Sequence, residues 1–120
     1  MNPFKWLSSH RSLNWLFVVV YASIIFYFSS LSASGIPSVP VSNTWLHVLE
    51  YFGLGLVLMP AVRSSGRGGL FLAFILLAVY AASDEFHQYF VPGRVMDFYD
   101  WLADSAGGLL GLFLSGRSLD

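Results

Sequence analysis

Four long apolar stretches, separated by short breaks, restrict this chain more than any other feature. From Leu13 to Leu31 no side chain is charged. A second stretch runs from Trp45 to Val62, and a third runs from Gly69 to about Phe90, uncharged up to Ser83. A fourth, from about Asp97 to Ser115, is the weakest because three aspartates sit in it. Crossing a bilayer takes about 20 mostly apolar residues. In lipid every backbone N–H and C=O must be satisfied within the segment, which selects helices. The expected fold is all-α: a four-helix transmembrane bundle in one domain, residues 1–120, with helices at about 13–31, 45–62, 69–90 and 97–115. Composition points the same way. Charged residues make up 11 % and hydrophobic residues 56 %, against about 25 % charged in soluble domains. A soluble protein of this size would lack the charge to cover its surface.

The breaks are turn-like. Ser32 to Thr44 holds Gly35, Pro37 and Pro40, Arg63 to Gly68 reads RSSGRG, and Val91 to Met96 contains the Pro92-Gly93 pair. Loops this short make helices adjacent in sequence antiparallel neighbours. Orientation follows from Lys and Arg, which favour the cytoplasmic side. Lys5, Arg11, Arg63, Arg67 and Arg117 fall on one side and Arg94 alone on the other. Both termini are therefore expected to be cytoplasmic, in a multi-pass protein of the cytoplasmic (inner) membrane. Lys5 and Arg11 before an apolar run, with Ser32, Ala33 and Ser34 after it, also resemble a signal peptide. Against cleavage, the run is longer than a typical signal core and no soluble segment follows it.

On this topology the costly residues gather at the outer end. His47 and Glu50 open the second helix from outside. Asp84, Glu85, His87 and Gln88 close the third, Arg94 lies in the outer turn, and Asp97, Asp100 and Asp104 open the fourth. Six of the seven acids are here. His47 and Glu50 are three residues apart, as are Asp84 and His87, so each pair shares a helix face. The aspartates follow a 3, 4 stripe that continues into Gly107 and Gly111. With Ala103 and Ser115 these form a row of small residues, which lets another helix approach closely. That row suits packing inside one bundle or a homo-oligomer through the Gly107/Gly111 face. Asp104 lies roughly 10 Å deeper than Asp97, where a lone acid costs about 2.5–3.5 kcal/mol. It must be protonated, paired or hydrated. Intramembrane ionisable residues mark functional sites by default, although Asp97 and Glu85 also suit the headgroup layer, and acids suit a helix start. Trp45, Tyr89, Tyr99 and Trp101 read as interfacial anchors. Net charge is −1, so no basic field points to nucleic acid. With no cysteine, thiolate metal sites are excluded.

The run SDEFHQYFVPGRVMDFYDWLADSAGGLLG, Ser83 to Gly111, resembles the signature of the VanZ-like family: an acidic pair, a Gln, a Pro-Gly-Arg turn, then spaced aspartates and glycines. Here these are Asp84-Glu85, Gln88, Pro92-Gly93-Arg94, Asp97, Asp100, Gly107 and Gly111, and upstream His47 and Tyr51 match a His-x-x-x-Tyr motif. The family often has Asp-Lys where Asn43-Thr44 stand, and Asn where Asp104 stands. The resemblance implies a bacterial membrane protein, from a family whose founding member is associated with resistance to the glycopeptide teicoplanin. The resulting expectation is action at the outer membrane face on a cell-envelope precursor, a lipid-linked ligand or a glycopeptide. Candidate catalytic residues are His47, Asp84 and His87. Candidate ligand-binding residues are Glu50, Tyr51, Glu85, Gln88, Arg94, Asp97, Asp100 and Asp104. As an enzyme it would use an acid–base pair such as Asp84 with His87, or a divalent cation held by carboxylates and His. A non-enzymatic envelope-shielding factor is the second reading. A small four-helix multidrug transporter is the third, although such transporters carry a key Glu in the first helix and Leu13 to Leu31 has no charge. No Gly-x-Ser-x-Gly elbow or Walker-type loop occurs.

Overall fold

The computed structural model describes residues 2–32, 43–64 and 69–120. Gly35, Pro37, Pro40, Gly66, Arg67 and Gly68, read above as turn residues or topology signals, lie outside them. Among the described residues every regular element is an α-helix: α1 Pro3–Ser9, α2 Arg11–Ser30, α3 Asn43–Ser64, α4 Leu70–Gln88 and α5 Phe98–Leu119. α2, α3 and α4 are long and apolar enough to cross a membrane. α5 matches α3 at 22 residues, but Asp100, Asp104 and Arg117 dilute its apolar sequence.

α1 is an addition to the four stretches legible in the sequence. Asn2 starts it, its side-chain oxygen accepting from the Phe4 and Lys5 amides, and Pro3 occupies the first turn. Both are helix-start devices: a side-chain cap, and a proline where no N–H is needed. A break at His10 separates α1 from α2. The Asn2 side-chain amide also donates to the Ser118 carbonyl at 2.9 Å. The two chain ends therefore meet.

α3 is the hub, touching all four other helices, and its largest interface is with α5. These two are not sequence neighbours and they run parallel. His47 meets Asp104, the Leu56 carbonyl meets Ser115, and Arg63 meets Asp120. Glycine sets the closeness. A Cβ on Gly107 would overlap the Val48 carbonyl, one on Gly111 the Phe52 carbonyl, and one on Gly55 the Gly108 carbonyl. The small-residue face of α5 is thus taken up by α3 of the same chain. Helix association in lipid relies on such close packing and on interhelical hydrogen bonds, because lipid is as apolar as leucine.

A second device supports the same pair. Pro60 lies inside α3 and has no N–H to give the Leu56 carbonyl. The Ser115 hydroxyl of α5 donates to that carbonyl at 2.8 Å. α2 lies antiparallel to α3: the Asn14 amide donates to the Val57 carbonyl at 2.9 Å and the Tyr21 hydroxyl to the Glu50 carbonyl at 2.6 Å. α4 is antiparallel to α5, with Leu77 covering Gly108 and the Trp101 indole donating to the Ala78 carbonyl at 3.0 Å. Trp101 is therefore a half-buried cross-link between helices rather than the anchor its position suggested, while Trp45, Tyr89 and Tyr99 are exposed.

The outward faces are apolar. Phe17, Val20, Ile24 and Phe28 of α2, Phe71, Ile75 and Val79 of α4, and Leu110 and Phe113 of α5 are all exposed. A soluble monomer does not leave apolar area on this scale to water.

Candidate functional site

The starts of α3 and α5 and the end of α4 converge, and their polar side chains turn inward. His47 lies one turn into α3. Its Nδ1 is 2.6 Å from Asp104 Oδ1 and its Nε2 is 3.6 Å from Asp100 Oδ2. With Asp104 a carboxylate, Nδ1–H is the donor, which leaves Nε2 directed at Asp100. One turn further along α3, the Tyr51 hydroxyl donates to Asp84 Oδ2 at 2.8 Å. Glu85 Oε2 accepts the Asp97 backbone N–H at 3.2 Å, which ties the end of α4 to the start of α5. Gln88 donates to Ser29 of α2 at 3.3 Å. His47, Tyr51, Asp84, Glu85, Gln88 and Asp104 are all buried.

These bonds satisfy only part of the cluster. Asp84 Oδ1, Glu85 Oε1 and Asp104 Oδ2 are buried and have no hydrogen-bond partner. An unpaired buried polar atom typically costs about 1–3 kcal/mol, and more when charged. Native proteins keep few of them. Of the five such side-chain atoms among the described residues, three are carboxylate oxygens of this cluster. His47, Glu85 and Asp100 each offer a ligand atom, and these atoms lie within 4.8 Å of one another. Among the described residues, these three are placed so that they could hold a metal ion.

The other candidates lie around this centre. Asp97 caps α5, its carboxylate accepting from the Tyr99 amide at 2.8 Å. Arg94 closes the end of α2, donating from Nη1 to the Phe28 and Leu31 carbonyls at 3.2 and 3.0 Å. A cation there also complements the negative end of the helix dipole. His87 packs against α2. Its ring stacks on Phe26 with centroids 4.3 Å apart, and its Nε2 is 2.9 Å from the Ser30 hydroxyl. Asp84 and His87 share a face by spacing, yet Asp84 is bonded to α3 and His87 to α2.

Beside the cluster, between α2 and α3, lies a pocket of about 520 Å³. Glu50, Gln88, Arg94 and His47 supply its polar lining, and Ile24, Ile25, Phe28, Leu46 and Leu49 its apolar lining. His47 thus belongs to both the buried cluster and the pocket. Ser29 also lines the pocket and bonds Gln88, and the sequence reading passed over it. Its signal was position: Ser29 falls four residues after Ile25, on the one face of α2 that is buried.

The chain compares with known proteins as follows. The model of the family described as VanZ/LLP1 matches residues 1–117. Neither a curated protein nor a solved structure matches the chain.

Proposed function

The chain belongs to the VanZ/LLP1 family, and on that premise we propose that it is a multi-pass protein of the bacterial cytoplasmic membrane that binds the head of an amphiphilic, lipid-linked envelope ligand at the outer face. The pocket between α2 and α3 carries this proposal. It combines an arginine, a glutamate and a glutamine with apolar residues, and three of the latter, Ile24, Phe28 and Leu49, are exposed on the outside of the helices. A wall of that composition suits a molecule whose tail lies in lipid and whose head reaches Arg94 and His47. The Arg94 guanidinium has five N–H donors in a fixed fork, matched to phosphate or carboxylate.

α5 serves as the fourth span in this arrangement. Its 22 residues extend about 33 Å, against a hydrocarbon core of about 30 Å. Leu102, Leu109, Leu110, Phe113 and Leu114 point outward, while Asp104 is turned to α3. Lys5, Arg63 and Arg117 sit with the chain ends, and this excess of basic residues supports a cytoplasmic assignment for that end. A shielding factor that holds a precursor away from an antibiotic, and an enzyme that alters it, share this binding step.

The test is direct. Purified protein in neutral-lipid nanodiscs is titrated with a fluorescent polyprenyl phosphate and with the matching polyprenol. The phosphate should bind at least about tenfold more tightly, equivalent to about 1.4 kcal/mol, and Arg94→Ala should erase the difference. Equal binding of the two lipids would refute the proposed head recognition. A part in glycopeptide resistance requires that deletion change teicoplanin susceptibility and that Arg94→Ala reproduce the deletion.

A further inference from the structure

We propose that His47, Glu85 and Asp100 form a binding site for one divalent transition-metal ion of the zinc or manganese class. The site deepens the proposed function, because His47 also lines the pocket. It stands or falls separately, since metal content is measured whether or not a lipid binds.

Three observations converge. The first is the 3.6 Å between His47 Nε2 and Asp100 Oδ2. That is too long for a hydrogen bond. It is the separation expected of two atoms that each lie about 2.1 Å from one ion and about 110–120° apart. Glu85 supplies a third ligand, since one donor atom from each of His47, Glu85 and Asp100 lies within 4.8 Å of the others.

The second is the support behind the histidine. Asp104 Oδ1 is 2.6 Å from Nδ1, the ring nitrogen remote from Asp100. A carboxylate on one nitrogen of a metal-binding imidazole fixes its orientation and tautomer, and leaves the other nitrogen's lone pair for the metal. The third is Glu85 itself. It is buried, one oxygen is taken by the Asp97 amide, and Oε1 has no partner. A cation beside it would account for a buried acid that, among the described residues, forms no ion pair with a Lys or Arg. One imidazole and two carboxylates suit zinc and manganese better than calcium or magnesium, which prefer oxygen-only sets. Three protein ligands leave a position for water or for an anionic head.

The experiment uses the full chain, purified in detergent without chelator. Elemental analysis should find about one zinc or manganese ion per chain, and the Co²⁺-loaded protein should give visible d–d bands. Glu85→Gln and Asp100→Asn should each cut the metal content at least tenfold. Asp104→Asn keeps all three ligands and should weaken affinity about 10–100-fold. Arg94→Ala should leave metal content unchanged. Wild-type protein that arrives metal-free, takes up no Zn²⁺ or Mn²⁺ by calorimetry and shows no thermal shift with either would overturn the site. So would Glu85→Gln protein that stays monodisperse and keeps its metal.

Discussion

The α3–α5 pair is joined by different means at its two ends. Near the start of both helices, His47 sits against Asp104 and Asp100, buried and surrounded by further acids from α4. From Val48 and Gly107 onward through Gly55 and Gly111 the contact is backbone against backbone, and near the other end Ser115 restores the bond that Pro60 removes. Beyond that, Arg63 meets Asp120 in the open, with side chains 35 % and 69 % exposed. The same kinds of charged residue therefore have opposite consequences at the two ends. A buried charge needs its partner and leaves neighbours unsatisfied, whereas a surface ion pair is held by little and contributes little. The end that gathers the buried acids is where a function is expected. The end that packs well is where the bundle is held together.

Substitution can break this contrast, with the largest effect expected at the buried acid end and effects of about 1 kcal/mol or less at the other. His47→Ala leaves Asp104 buried without its partner, and should destabilise the protein by about 3–5 kcal/mol in unfolding from mixed micelles. Adding Asp104→Ala to it should recover part of that loss. A double variant no more stable than the single would show that the pair is not coupled. Gly111→Leu forces a side chain into the Phe52 carbonyl and should cost about 1–3 kcal/mol in the same assay. Gly69, which has open space around it, should accept alanine within about 0.5 kcal/mol. Ser115→Ala strips the Leu56 carbonyl of its substitute donor and should cost about 0.6 kcal/mol, the average for such bonds between membrane helices. Asp120→Asn, at the exposed pair, should change stability by no more than about 1 kcal/mol, and salt should erase the effect.

The same contrast separates what was legible in the sequence from what was not. The three apolar spans and the gathering of acids at one end follow from composition and period, and α2, α3 and α4 begin and end within a few residues of the expected limits. α1 was missed because it is short, although Asn2 and Pro3 are a recognisable start signal. The pairings inside the polar end were not readable. Spacing puts Asp84 and His87 on one helix face, but only packing decides that one meets Tyr51 and the other Ser30. Alternation of the spans made α3 and α5 parallel, but spacing could not reveal that they would form the largest interface, since the short turns suggested only contacts between neighbours in sequence. The glycines made that contact available without naming the partner. Asp104, one of the positions read above as differing from what the VanZ-like pattern often shows, is the residue His47 touches most closely.

The meeting of α3 with α5 at the acid end is best tested by cross-linking in native membranes, because the chain has no cysteine to interfere. Cysteines introduced at His47 and Asp104, 57 residues apart in sequence, should join efficiently with a short thiol cross-linker, and a pair at His47 and Asp120 should not. Failure of the first pair to join, or equal joining of both, would contradict the convergence on which the site depends.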